Sequence, residues 1–155
     1  VAELLVSNKM TIATAESCTG GLVGDRLTNV SGSSKYYKGG VVAYSNEIKS
    51  SQLDVNQDIL NSHGAVSEEV ALEMARGVRS YFSSDIGIST TGIAGPLGGS
   101  KEKPVGLIYV SISSNEFEKT YKFSFTPYRK TNKLMTSQAA LNITRLYLLN
   151  GHQKT

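Results

Sequence analysis

One cysteine, Cys18, in 155 residues leaves nothing from which to build an internal disulfide or a cysteine-rich metal knot. Histidine is nearly as scarce. His63 and His152 form no H-x-x-x-H pair, and no aspartate cluster has ligand spacing, so no metal site and no metal cofactor are expected. No stretch approaches the ~18 consecutive apolar residues of a membrane-spanning helix, which excludes an integral membrane protein of that kind. An excess of one charge sign is missing too. Sixteen Lys and Arg against 13 Asp and Glu leave a net charge of +3 spread along the chain, too weak to argue for nucleic acid. No signal peptide is legible, so a cytoplasmic location is the expectation.

There is no internal repeat, low-complexity tract or linker rich in Pro, Gly or Ser, so residues 1–155 read as one domain. A hydrophobic content of 39% suffices for one buried core at this length. Glycine is the outlier: 15 residues, clustered rather than scattered.

Met10 to Ala15 reads as a strand running into a polar cluster, and Gly20 to Asn29 as a helix through the spacing of Leu22, Val23 and Leu27. Gly39 to Tyr44 carries the near-continuous apolar run of a buried strand. Ser45 and Asn46 are good caps for a short helix over Glu47 to Leu53. Ser67 caps a clearer helix, with Glu68 and Glu69 in its first turn and Val70, Met74, Val78 and Phe82 on one face. Strands follow at Asp85 to Thr90, Val105 to Ile112 and Lys119 to Phe125, the last two as an antiparallel pair. A helix from Tyr128 carries Leu134, Leu141, Leu148 and Leu149 and stops at Asn150-Gly151. The fold class expected is α/β, a three-layer α/β/α sandwich around a mixed, mostly parallel sheet of about five strands. In such sheets ligands sit beyond the carboxyl ends of the strands, and three such ends carry chemistry-bearing residues.

The first is Ala15-Glu16-Ser17-Cys18-Thr19-Gly20-Gly21. A hydroxyl here stands at a helix N-terminus, where unpaired amides favour developing negative charge, so Ser17 is a candidate nucleophile. The plainer alternative is that Ser17 or Thr19 only caps the helix. The G-x-S-x-G elbow is absent. Cys18 shares the helix end, which could lower its pKa, but His63 in an inter-helix loop and His152 in the tail are its only candidate partners, and a small packed side chain is the better reading. The second end is Tyr44-Ser45-Asn46-Glu47-Ile48-Lys49. With no well-placed histidine, a serine would need Lys49 with a lowered pKa, or a Tyr44–Lys49 pair, as its base; the alternative is a solvated lysine and a filler tyrosine. The third, Thr90 to Lys101, holds four glycines, two threonines and a lysine. It suits an anion nest but matches neither Walker A nor G-x-G-x-x-G.

Taken in order, Ala15 to Gly21, Gly32-Ser33-Ser34, Gly39 to Asn46, Gly64-Ala65-Val66-Ser67, Thr91-Gly92-Ile93-Ala94-Gly95-Pro96 and Lys103-Pro104-Val105-Gly106 strongly resemble the CinA C-terminal domain family. That domain also occurs alone as nicotinamide mononucleotide deamidase. The resemblance spans nearly the whole chain. It implies a bacterial, cytoplasmic, metal-independent amidohydrolase that converts nicotinamide mononucleotide and water to nicotinate mononucleotide and ammonia. It also implies an α/β/α fold and a homodimer. Catalysis would fall on Ser17, Tyr44 and Lys49, and contacts to the phosphorylated pyridine nucleotide on Thr19, Gly20, Ser33, Thr91, Gly92, Gly95 and Arg129. The chain departs from the family pattern at Pro127-Tyr128, where Gly-Asp is usual before Arg129. It departs again at Lys133, in place of a second arginine, and at Leu97, where an acid or glycine is common. Two other classes compete with the enzyme: a non-catalytic phospho-ligand module using the glycine-rich loop, and, less well supported by the residues, a DNA-binding protein.

Overall fold

The computed structural model describes residues 1–150; Gly151 of the expected helix stop, and His152, lie outside the described residues. The chain runs α1 (Ala2–Ser7), β1 (Ile12–Glu16), α2 (Leu22–Thr28), a 3-10 turn (Ser33–Lys35), β2 (Tyr37–Val42), α3 (Asn46–Leu53), α4 (Gln57–His63) and α5 (Glu68–Tyr81). It continues with β3 (Ile86–Gly92), β4 (Leu107–Ser113), β5 (Glu118–Ser124) and α6 (Arg129–Leu149). The five strands form one sheet in the order β2-β1-β3-β4-β5. β1 pairs in parallel with β2 and β3, while β3–β4 and β4–β5 pair antiparallel. Only β4 therefore opposes the other four. The mixed, mostly parallel α/β sheet expected from the sequence is what forms, including the β4–β5 hairpin.

Alternation along the strands fills two cores. Ile12, Ile86, Ile88, Ile108, Val110 and Ile112 face α1, α2 and α6. On the other face Ala13 and Ala15 meet Leu53, Leu60, Val70, Met74 and Val78. That second face is lined by small residues because α5 lies very close to it. A Cβ on Gly87 would stand 2.0 Å from the Ala75 carbonyl oxygen, and the Ser89 hydroxyl donates to the Ala71 carbonyl at 2.5 Å. A Cβ on Gly77 would likewise meet the Leu53 carbonyl at 2.0 Å, so a bare glycine lets α5 and the end of α3 touch. Ser67 and Ser45 cap α5 and α3 as expected, accepting from the Val70 and Ile48 amides.

Three expectations are corrected. β2 is an edge strand with alternating exposure rather than a buried strand: Val41 packs against the second core, while Val42 faces outward and is 51% exposed. α1 and α4 were not anticipated, and His63 ends α4 instead of lying in a loop. Leu134 and Leu149 of α6 point to solvent. The helix buries Asn132, Thr136, Ser137, Ala140, Ile143, Thr144, Tyr147 and Leu148 instead. Among the described residues no helix is long and apolar enough to cross a membrane.

The parallel arrangement brings the carboxyl ends of β1, β2 and β3 to one sheet edge. β5 shares their direction, so the turn after it delivers the N-terminus of α6 to the same place.

Candidate active site

A cavity of about 270 Å³ opens at that edge, walled by residues from five separate segments. Ser17 enters from the turn after β1, with its amide donating to the Thr90 carbonyl at 2.9 Å. Its side chain is half-buried. From α3, Lys49 reaches inward until it is only 2% exposed, and its ammonium donates to the Ala43 carbonyl at 2.9 Å and towards Ser17 Oγ at 3.4 Å. Among the described residues no carboxylate forms an ion pair with Lys49. Burial without a counter-charge disfavours the ammonium, so the Lys49 pKa lies below the ordinary 10.5 of lysine. A hydroxyl and a base held against each other, with the base biased towards its neutral form, are the components of an activated nucleophile.

Cys18 is the rival nucleophile, and the fold disables it. The side chain is buried as a small packed residue, and desolvation pushes the thiol pKa up to about 12, outweighing any lowering by the helix end. The one described candidate partner does not help: His63 is paired with Glu69 at 3.3 Å and does not line the cavity.

The helix cap comes from neither Ser17 nor Thr19. Glu16, 2% exposed, turns its carboxylate onto the start of α2. Oε2 accepts from Thr19 Oγ1 at 2.6 Å, Gly21 N at 3.0 Å and Val23 N at 2.9 Å, and Oε1 accepts from Gly24 N at 2.8 Å. An anion thus satisfies the donors at the positive end of α2 and frees the Ser17 hydroxyl from that task. Gly20 N is also taken, by the Ser17 carbonyl at 3.1 Å. The amides of Cys18 and Thr19 are the ones beside Ser17 that none of these bonds uses.

The other expected site residues divide. Thr91, Gly92, Gly95, Tyr44 and Arg129 line the same cavity as Ser17 and Lys49. The Thr91 hydroxyl, however, donates to the Ala65 carbonyl at 2.8 Å and so holds the wall in place. Gly92 is bare because a Cβ would meet Ile108 Cδ1 at 2.3 Å, and Gly95 has a φ of +86°, where a side chain is strained. The Tyr44 ring is 60% exposed, and its hydroxyl accepts from Arg129 Nη2 at 2.6 Å instead of meeting Lys49. Arg129 Nη1 donates to the Gly95 carbonyl at 3.0 Å.

Thr19, Gly20 and Ser33 stand outside the cavity lining. Thr19 is buried, its hydroxyl spent on Glu16 and Thr90. Gly20 makes the turn, with Lys133 Nζ 3.7 Å from where its Cβ would be. Ser33 precedes β2, and the 6 residues of that strand separate it from the cavity edge by about 20 Å at ~3.3 Å per residue. Sequence reasoning missed Asn46 and Val66 in the lining, and Lys103, whose ammonium donates to the His63 and Val66 carbonyls at 2.5 and 2.7 Å. Among the described residues no group of three or more His, Cys, Asp or Glu could hold a metal ion.

Comparison with known proteins agrees with this architecture. The family model described as CinA C-terminal domain matches residues 1–148. A putative competence-damage inducible protein of Halothermothrix orenii is 53% identical over 149 residues, covering 96% of this chain but 36% of that protein. A CinA-like protein of Sulfurihydrogenibium is 49% identical over 151 residues, covering 97% of this chain and 38% of its own length. The chain thus spans little more than a third of these curated relatives. Among solved structures, the competence damage-inducible protein A of Klebsiella pneumoniae superposes with a TM-score of 0.93 at 31% identity, covering 97% of this chain and 93% of that one.

Proposed function

The chain belongs to the CinA C-terminal domain family, and from that premise and the Ser17–Lys49 pair we propose that it is an amidohydrolase of phosphorylated pyridine nucleotides. Nicotinamide mononucleotide is the substrate, and nicotinate mononucleotide and ammonia are the products. The observation that carries the reading is a buried lysine amine without a carboxylate partner, 3.4 Å from a serine hydroxyl in an open cavity.

Neutral Lys49 takes the Ser17 proton as Oγ forms a bond to the carboxamide carbon. The oxyanion falls to the Cys18 and Thr19 amides, each such donor worth about 3 kcal/mol in comparable sites. The carbon–nitrogen bond then breaks, and the proton held by Lys49 leaves with ammonia. Water, deprotonated by the same amine, cleaves the acyl–serine ester and the proton returns to Oγ. Tyr44, held by Arg129, borders the cavity as part of its wall. Arg129 has spent donors on Gly95 and Tyr44, but its fork of five N–H groups leaves three for a phosphate.

The test is ammonia release measured in parallel with nicotinamide mononucleotide, nicotinamide riboside and free nicotinamide. The phosphorylated compound should be preferred. Binding of the nucleotide without ammonia release would instead mark a non-catalytic ligand module, and no binding of any of the three would sink both readings.

A further inference from the structure

One fully buried polar side chain beside the cavity belongs to neither the nucleophile nor its base. Asn132, in the first turns of α6, is 0% exposed, and its carboxamide is fully bonded. Nδ2 donates to the Ala94 carbonyl at 2.9 Å and the Thr126 carbonyl at 2.8 Å; Oδ1 accepts from Thr126 N at 3.0 Å and Thr126 Oγ1 at 2.9 Å. Two donated and two accepted bonds are all a planar amide offers at good geometry.

These bonds join three segments that the sheet alone does not join. Ala94 belongs to the loop after β3 that walls the cavity, Thr126 to the turn after β5, and Asn132 itself to α6. Three residues earlier on α6, Arg129 holds the very next carbonyl of the same loop, Gly95, and the Tyr44 hydroxyl. The two side chains therefore grip consecutive carbonyls from one helical turn. Arg129 is half of a two-point fastening, and Asn132 is the buried, rigid half.

We propose that Asn132 is a positioning residue: it fixes the 93–95 loop and the guanidinium of Arg129 at a set distance from Ser17, and so governs how tightly a phosphorylated substrate is held. This rests on the amidohydrolase reading for its kinetic test, but not for its structural one. Asn132 touches neither Ser17 nor Lys49, so its loss acts on substrate binding and leaves the proton transfer alone. Misplacing a group that orients a substrate by as little as ~1 Å costs on the order of 100-fold.

The variant is Asn132→Asp, which keeps the acceptor for Thr126 but can no longer donate to both the Ala94 and Thr126 carbonyls. Asn132→Ser is the second variant, should the buried carboxylate prevent folding. With nicotinamide mononucleotide, KM should rise ten- to hundredfold with kcat and its pH profile within about threefold of the parent. Combined with Arg129→Ala, the Asn132 substitution should add less than threefold, because both act through one fastening. Thr136→Val, one turn further on and also buried, removes a hydroxyl that donates to the Asn132 carbonyl at 2.6 Å, and should leave KM unchanged. Amide hydrogen exchange without any substrate supplies the independent arm: the Ile93 and Gly106 amides, which donate to the Leu107 and Ile93 carbonyls at 2.9 and 2.8 Å, should lose at least tenfold protection in the Asn132 variants while β1 and α3 keep theirs. Unchanged KM in a folded variant, full additivity with Arg129→Ala, or unchanged exchange at the Ile93 and Gly106 amides would each overturn the proposal. If the parent releases no ammonia, the function is wrong and the exchange result alone decides the role of Asn132.

Discussion

Replacing Glu16 by glutamine tests whether the anion at the head of α2 holds the nucleophile turn together. The carboxylate accepts four hydrogen bonds, three at Oε2 and one at Oε1. Glutamine has one acceptor oxygen and an NH2 group. Its best orientation keeps the oxygen on Thr19, Gly21 and Val23, and points the NH2 at the Gly24 amide. The Gly24 N–H is then left unpaired and faced by the NH2 donors, at about 1–3 kcal/mol or more, and the other three bonds lose the assistance of the charge. A net loss of about 3 kcal/mol follows, which for a domain of this size lowers Tm by about 6–12 °C. Urea unfolding should show the midpoint shifted with an unchanged slope, since the surface exposed on unfolding is the same. Ammonia release should fall as well, because the amides beside Ser17 share the turn that Glu16 fixes. A loss below about 1 kcal/mol would refute the four-bond reasoning, since a single unpaired amide already costs that much.

Other perturbations separate the parts of the site. Lys49→Met, of similar volume, should lower kcat by a factor of about 100 to 10,000, the span of general-base contributions. In the parent, kcat should rise with pH and level off below the ordinary lysine range, because the fold disfavours the ammonium and the neutral amine is the active form. The unfolded chain keeps that proton to higher pH, so the parent's stability should also rise with pH between the folded-state Lys49 pKa and 10.5; Lys49→Met should lack that slope in urea titrations. Cys18, with its thiol pKa raised to about 12, should resist iodoacetamide at pH 8 in the native chain and react within minutes once unfolded. Gly77→Ala drives a Cβ into the Leu53 carbonyl and should cost about 1–3 kcal/mol of stability, read by thermal unfolding.

What the sequence disclosed, and what it hid, follows from the range of the forces involved. α5 was legible because its cap, its acids and its apolar face all arise from residues one to four positions apart, and each bears on the same helix. Ser17 and Lys49 were legible as candidates because strand ends in such a sheet converge. Their 3.4 Å approach, and the burial that makes the amine a base, are tertiary facts. α6 misled because Leu134 and Leu149 gave it an apolar signature while the buried face carries Asn132, Thr136, Ser137 and Thr144. Those side chains bury themselves by bonding backbone carbonyls, as Thr136 does to Asn132 and Thr144 to Ala140, and a hydrophobicity pattern cannot register that. Glu16 did leave a sequence signal, an acid just before a small-residue turn and a helix, but the serine and threonine beside it were the more familiar caps. Ser33 was placed by resemblance alone. The parallel pairing of β2 sends it to the far edge of the sheet from Ser17.

The most direct measurement is ammonia release from nicotinamide mononucleotide by Ser17→Ala, with folding verified by its unfolding curve and nucleotide binding by calorimetry. Nucleophilic attack by Ser17 Oγ predicts a rate reduced by at least three orders of magnitude with binding retained. A folded, nucleotide-binding Ser17→Ala chain that turns over within tenfold of the parent would contradict it.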